Sequence, residues 1–97
     1  MKINIKNIEQ YFMNLGLELG LNFGDYYYSY LGHRSNSNNH IMHFNCNQKG
    51  LLDKIKKDML DNFNISFFKD SKELDIRKWK NEEEFDYQYY LHIKELN

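Results

Sequence analysis

Three histidines and the only cysteine lie close together in the sequence, and zinc readily binds imidazole and thiolate groups. These residues are His33, His40, His43 and Cys46. If the segment after His40 is a strand, Cys46 shares a face with His40 while His43 points to the opposite face, because side chains alternate along a strand. Since the potential ligands then diverge, we expect no metal site here. We also expect no Cys–His nucleophile, because that chemistry needs the two side chains paired in space.

Other catalytic and cofactor-binding patterns are absent from the sequence. The three consecutive glutamates at 82–84 are typical of a solvated turn rather than of a pair of acid–base catalysts. The glycines at 16, 20, 24 and 32 match neither the G-K-[ST] ending of a phosphate loop nor the G-x-G-x-x-G spacing of a dinucleotide site. We therefore expect a protein that is not an enzyme and that holds no cofactor.

Aromatic side chains dominate the remaining chemistry, at 16% of the chain. In FGDYYYSYLG, residues 23–32, a period of two predicts one row of tyrosines on one face, with Tyr27, Ser29 and Leu31 on the other. The row consists of Tyr26, Tyr28 and Tyr30, and Arg34 follows it. Rings beside basic residues bind single-stranded nucleic acid by stacking on bases, so this row is a candidate site. The alternative is that the row packs on helices and leaves Tyr27 partly exposed.

Protein binding is a second interpretation of the aromatic residues, because Tyr, Trp and Arg are enriched at interface hot spots. The candidate partner-binding set joins aromatic and acidic side chains, namely Tyr27, Arg77, Trp79, Glu82, Glu83, Glu84, Asp86 and Tyr90. The chain has 13 basic and 14 acidic side chains and a net charge of -1. A dedicated binder of duplex DNA usually has a clear basic excess. We therefore expect a protein target.

The length of 97 residues predicts one domain over 1–97. A lone thiol suits a reducing compartment, and the sequence has no long apolar run typical of a signal peptide or a membrane span. We therefore expect a cytoplasmic protein that does not associate with membranes.

The first helix is predicted over about 8–19. Asn7 would cap it, with Gln10 completing a capping box, and Gly20 would end it. The segment 15–23 also alternates as a strand does, so a shorter helix followed by a strand is the alternative.

A second helix and five strands follow from the same periodicities. The helix covers 47–63, with an apolar stripe from Leu51 to Phe63, and the strands cover 26–31, 41–46, 65–68, 74–79 and 85–94. The first two strands are expected to pair antiparallel across a polar loop, and the last three to form a meander. The order α-β-β-α-β-β-β predicts an α+β fold, a small antiparallel sheet with two helices packed on one face.

This arrangement leaves the second face of the sheet without a helix. That face would carry Tyr27, Trp79 and Tyr90, an aromatic patch of the kind that monomers rarely leave in water. We therefore expect the chain to pair with itself or with its target through this face, and a two-fold dimer is the commonest closed solution.

An acidic and aromatic segment, Glu82–Phe85, and the closing Glu95, Leu96 and Asn97 lie near the end of the chain. In this feature, and in its opening helix and short antiparallel sheet, the chain resembles anti-CRISPR proteins encoded by phages and mobile elements. The resemblance implies an inhibitor of a defence protein, whose acidic surface mimics DNA phosphates. Because Lys78 and Lys80 balance the acids here, aromatic contacts are the expected binding mode. A toxin-neutralising immunity protein and a single-stranded nucleic-acid-binding module are the alternatives.

Overall fold

The computed structural model describes residues 4–33, 39–78 and 85–94. These residues form two helices and five strands, whose order confirms the predicted α+β class. In chain order they are α1 (Ile5–Glu18), β1 (Tyr26–His33), β2 (Asn39–Cys46), α2 (Leu52–Phe63), β3 (Ser66–Phe67), β4 (Lys72–Asp75) and β5 (Tyr87–Lys94).

The start of α1 lies earlier than the sequence pattern predicts. Its N-cap is Asn4, whose side-chain oxygen accepts a hydrogen bond from the amide of Lys6 at 3.0 Å. The predicted capping box of Asn7 and Gln10 is wrong, because Asn7 already lies inside the helix and the Gln10 amide donates to a side chain one turn further on. The Asn4 side chain already accepts from one of the free amides at the helix start, and Asn7 lies one turn further on, on the solvated face.

The end of α1 settles the ambiguous segment 15–23 in favour of the helix. Gly20 follows the helix with a φ of 75°, a conformation that residues with a Cβ rarely adopt. The amides of Gly20 and Leu21 donate back to the carbonyls of Leu17 and Gly16 at 3.1 and 2.8 Å. These are the bonds of a Schellman motif, so Gly20 ends the helix as predicted.

The sheet is antiparallel, with strand order β1-β2-β5-β3, and β4 also pairs with β5. The β1–β2 hairpin confirms the first predicted pair. The predicted meander is wrong, because β3 and β4 lie end to end along one edge of β5 instead of side by side. β4 also covers Lys72–Asp75, so it begins two residues before the strand predicted over 74–79 and ends well before residue 79. β5 is eight residues long, which is enough for it to pair with both short strands.

Both helices pack on one face of the sheet, which we call the inner face. The buried core residues of the helices and central strands are Ile8, Phe12, Leu15, Met42, Phe44, Cys46, Ile55, Met59, Tyr89, Leu91 and Ile93. Phe12 of α1 stacks on Tyr28 and on Phe44, with ring centroids 4.9 and 5.0 Å apart. Aromatic area is therefore a large part of what holds α1 on the sheet.

The two flanks of α1 have different neighbours. On one flank, the hydroxyl of Tyr11 donates to Asp58 of α2 at 2.7 Å, and Glu18 pairs with Lys54 of α2 at 3.1 Å. On the other flank, Gly16 lies against β1, and a Cβ there would sit 2.6 Å from the Tyr26 ring. The missing side chain of Gly16 thus lets α1 approach β1 closely.

Candidate protein-binding surfaces

Two of the predicted partner-binding residues that the structure describes, Tyr27 and Tyr90, lie on the face opposite the helices. Tyr27 and Ser29 of β1 oppose Asn45 and His43 of β2, and His43 in turn opposes Tyr90 of β5. No helix among the described residues covers this side of the sheet. We call it the outer face, and its central residues are Tyr27, Ser29, Ile41, His43, Asn45, Gln88 and Tyr90.

The outer face combines ring surface with hydrogen-bonding groups. Tyr27 is 55% exposed. Tyr90 and His43 are half-buried, with ring centroids 5.7 Å apart. Burial lowers the pKa of His43, which favours the neutral imidazole at neutral pH. The patch therefore offers rings, a hydroxyl and an uncharged imidazole to whatever binds it, and no net charge at its centre.

Arg77 and Asp86 lie at one end of the sheet, where β4 stops and β5 begins. Arg77 forms a two-pronged ion pair with Asp75, with Nε and Nη2 at 2.9 and 2.6 Å from the carboxylate oxygens. It also lies 5.7 Å from the centre of the Tyr87 ring. The guanidinium holds the pKa of Asp75 at about 2. The ion pair with Asp75 therefore holds Arg77 at the end of β4, beside the outer face rather than within it.

The remaining residues of the predicted partner-binding set lie outside the described residues. They are Trp79, Glu82, Glu83 and Glu84. Arg34 of the nucleic-acid candidate, the side chain of His33 and the closing segment 95–97 also lie outside them.

The tyrosine row points to the inner face, as the alternative interpretation predicted. Tyr26, Tyr28 and Tyr30 oppose the buried residues of β2, and the ring of Tyr28 stacks on Phe12. Burial raises the pKa of Tyr28 to about 12, and its hydroxyl has no hydrogen-bond partner among the described residues. The hydroxyl of Tyr30 lies 2.8 Å from Nδ1 of His40. Rings packed in this way offer little open surface on which a base could stack.

The histidines and the cysteine of the hairpin diverge, as the strand alternation predicted. His40 and Cys46 are buried on the inner face, and His43 lies on the outer face. The Cys46 thiol donates to the carbonyl of Gln48 at 3.5 Å, and burial raises its pKa. Within 4–33, 39–78 and 85–94, no three potential ligands group as a metal site. A buried thiol of raised pKa is a weak nucleophile.

A Ser–Asp–His group that sequence reasoning missed joins the β3–β4 connection, which holds Asp70 and Ser71, to His92 of β5. Nδ1 of His92 is 2.9 Å from Asp70, but the Ser71 hydroxyl donates to the backbone carbonyl of His92 at 3.0 Å and accepts from its amide at 2.8 Å. Nε2 of His92 is buried without a hydrogen-bond partner among the described residues. Because the hydroxyl bonds to the main chain and not to the imidazole, the group lacks the geometry of a catalytic triad. It fixes the β3–β4 connection to β5.

An apolar groove beside α1 is a second candidate surface, and sequence reasoning missed it. Its volume is about 500 Å³, and its apolar lining comprises Met13, Leu17, Leu21, Phe23 and Tyr26. Phe23 is 83% exposed and Leu17 is 75% exposed. The signal for it is an apolar pair four residues apart, Met13 and Leu17, that lies off the buried stripe of the helix.

Comparison of the chain with models of protein families, with curated proteins and with solved structures finds no match. No helix among the described residues is long and apolar enough to cross a membrane. The geometry of the outer face is therefore the main basis for the function proposed below.

Proposed function

We propose that this protein is a small non-enzymatic domain that binds another protein through the outer face of its sheet and thereby inhibits it. The observation that carries this proposal is the sheet with both helices on one side and a band of aromatic and polar side chains on the other. Tyrosine supplies much contact area at low cost in conformational entropy, which is why it recurs at interface hot spots. Tyr27 and Tyr90 are the anchors that this face offers.

The target we propose is a nucleic-acid-binding defence protein, such as a CRISPR nuclease, which the protein would meet in the cytoplasm. The sequence resemblance to anti-CRISPR proteins of phages and mobile elements supports this choice. A toxin neutralised by an immunity protein is the alternative target, since such a protein would also set an acidic and aromatic patch against a basic cleft. Single-stranded nucleic acid has less support, because the tyrosine row packs into the core.

A cleavage assay tests the proposal. Purified protein is titrated into a CRISPR nuclease with its guide and target DNA, and in parallel into candidate toxins. We expect Tyr90→Ala to weaken inhibition roughly thirtyfold, since truncating a hot spot costs about 2 kcal/mol. His43→Ala should weaken it less, because the imidazole contributes mainly by supporting the Tyr90 ring.

Leu60→Ala is the matched control, since Leu60 is 51% exposed on α2, an element of the inner side. The Leu60→Ala variant should inhibit the target as strongly as the unmodified protein does. Inhibition that survives Tyr90→Ala unchanged would place the functional surface elsewhere. Tight, salt-sensitive binding of a single-stranded oligonucleotide, with no inhibition of any nuclease or toxin, would contradict protein binding altogether.

A further inference from the structure

β1 is a sheet edge without the usual protection against pairing with another strand. It is eight residues long, and its sequence YYYSYLGH contains no proline, lysine, arginine, aspartate or glutamate. The opposite edge is protected in two ways, because β3 has two residues and β4 has four, three of them charged. A single bulge between Tyr30 and Gly32 interrupts the β1 register. Among the described residues, no strand pairs with the outward edge of β1.

The apolar groove runs beside this same edge. Met13 and Leu17 lie on the flank of α1 that approaches β1, whereas Tyr11 and Glu18 on the other flank contact α2. Phe23 precedes β1 directly and completes the groove wall. An open strand edge and an exposed apolar helix flank therefore lie side by side, one in each layer of the fold.

We propose that a second copy of this chain docks on this edge, which goes beyond the inhibitory function. The edge shares Tyr27 with the outer face, whereas the groove residues Met13 and Leu17 lie apart from that face. The two β1 strands pair antiparallel around a two-fold axis near Ser29, so that the two sheets become continuous. In that register Tyr27 opposes Leu31 of the second copy, and both side chains are 55% exposed in a single copy. β1 contains no Lys, Arg, Asp or Glu, so pairing two β1 strands brings no such like charges together.

The exposed area fits a second copy better than a single extended peptide. Five exposed apolar side chains flank the edge, namely Met13, Leu17, Phe23, Tyr27 and Leu31. Together they expose roughly 600 Å², most of the ~800 Å² per partner of a standard interface. A single added strand satisfies the backbone of β1, but the helix α1 of a second copy is what covers Leu17 and Met13 in the helical layer. A two-fold interface buries these side chains of both copies at once.

Sedimentation velocity across the micromolar range tests the dimer, with Leu17→Lys and Leu60→Lys as matched variants. Both leucines are exposed on helices, so either lysine is solvated in a single copy. Leu17→Lys should weaken dimerisation roughly a hundredfold, because each copy loses a buried leucine worth about tenfold in affinity. Leu60→Lys should dimerise as the unmodified protein does. Hydrogen exchange of the β1 amides should slow as the protein concentration rises.

A monomer at every concentration would overturn the proposal, whether or not it captures an extended peptide. A dimer that tolerates Leu17→Lys but is lost with Tyr90→Ala would also overturn it, by placing self-association on the outer face. Circular dichroism of each variant checks that the fold is retained. Leu17→Lys should keep full inhibition in the cleavage assay, so the failure of the dimer and the failure of the inhibitory function are separate results.

Discussion

Replacing Gly16 by alanine should destabilise this protein, although the same change stabilises most helices. Alanine in a helix interior is favoured over glycine by about 1 kcal/mol. Here a Cβ on residue 16 would lie 2.6, 2.9 and 3.1 Å from three carbons of the Tyr26 ring. That ring packs against Phe44, with centroids 5.8 Å apart, and against Phe23, at 6.5 Å. It cannot move away from α1 without losing those contacts.

The expected magnitude follows from two opposing effects. Overpacking of this kind costs about 1–3 kcal/mol, and the gain in helix propensity offsets about 1 kcal/mol of it. The net loss is about 1 kcal/mol of unfolding free energy, or about 4–8 °C in Tm for a chain of this size. Urea denaturation followed by circular dichroism measures the loss directly. Because the added Cβ clashes with the Tyr26 ring alone, removing that ring should turn the loss of stability caused by Gly16→Ala into a gain.

Tyr26→Ala provides that reversal as a matched background. In a Tyr26→Ala protein the space beside residue 16 is open, so Gly16→Ala should stabilise by about 1 kcal/mol. The double-mutant cycle would then give a coupling of about 2 kcal/mol between the two positions. If Gly16→Ala stabilises equally in both backgrounds, the close approach of α1 to β1 is not what the glycine serves.

Four further outcomes follow from particular contacts. Asn4→Ala should cost about 1 kcal/mol by removing the N-cap of α1, while Asn7→Ala should leave the thermal midpoint almost unchanged. Tyr28→Phe should leave the free energy of unfolding unchanged or raise it, because it removes a buried hydroxyl that has no partner among the described residues. Tyr89→Phe should lower it by about 1–3 kcal/mol, because the Tyr89 hydroxyl donates to a backbone carbonyl at 2.6 Å and accepts from a backbone amide. The pKa of Tyr28 is about 12 in the folded protein against 10 when unfolded, so its contribution to stability is complete below pH 10 and is lost as the pH rises through 12. In Tyr28→Phe, the free energy of unfolding measured by urea denaturation should therefore fall less steeply with pH above 10. Cys46 should react with a thiol reagent only as fast as the protein opens, and rapid stoichiometric labelling of the native protein would contradict its burial.

Sequence periodicity predicted the features that depend on neighbouring residues. Alternation of side chains placed Tyr28 and Tyr27 on opposite faces, and the register with β2 confirms this, with Tyr28 on the inner face and Tyr27 on the outer one. Gly20 was predicted to end α1 because a positive φ is a local requirement that glycine meets. The N-cap was misassigned because two asparagines, Asn4 and Asn7, precede apolar residues, and helical spacing alone does not choose between them.

Pairing between distant strands was beyond such reasoning. The positions of β3 and β4 depend on their shared partner β5, and on Ser71, whose hydroxyl holds the connection between them to His92. The groove was missed for a similar reason: whether Leu17 is covered depends on where the sheet ends, and the sheet ends at β1. The outer face was expected from the count of helices and strands, whereas its residues beyond the described ranges stay predictions.

The position of β5 in the sheet has a consequence for how the protein is made. β5 follows every other strand in the chain, yet it lies between β2 on one side and β3 and β4 on the other. Until residues 87–94 leave the ribosome, the hairpin and the segment around α2 have no strand to join them, and the edge of β2 lies open. Such long-range pairing slows folding and lengthens the time during which the nascent chain needs protection from aggregation. A stop codon placed before Tyr87 would remove the middle of the sheet rather than its rim.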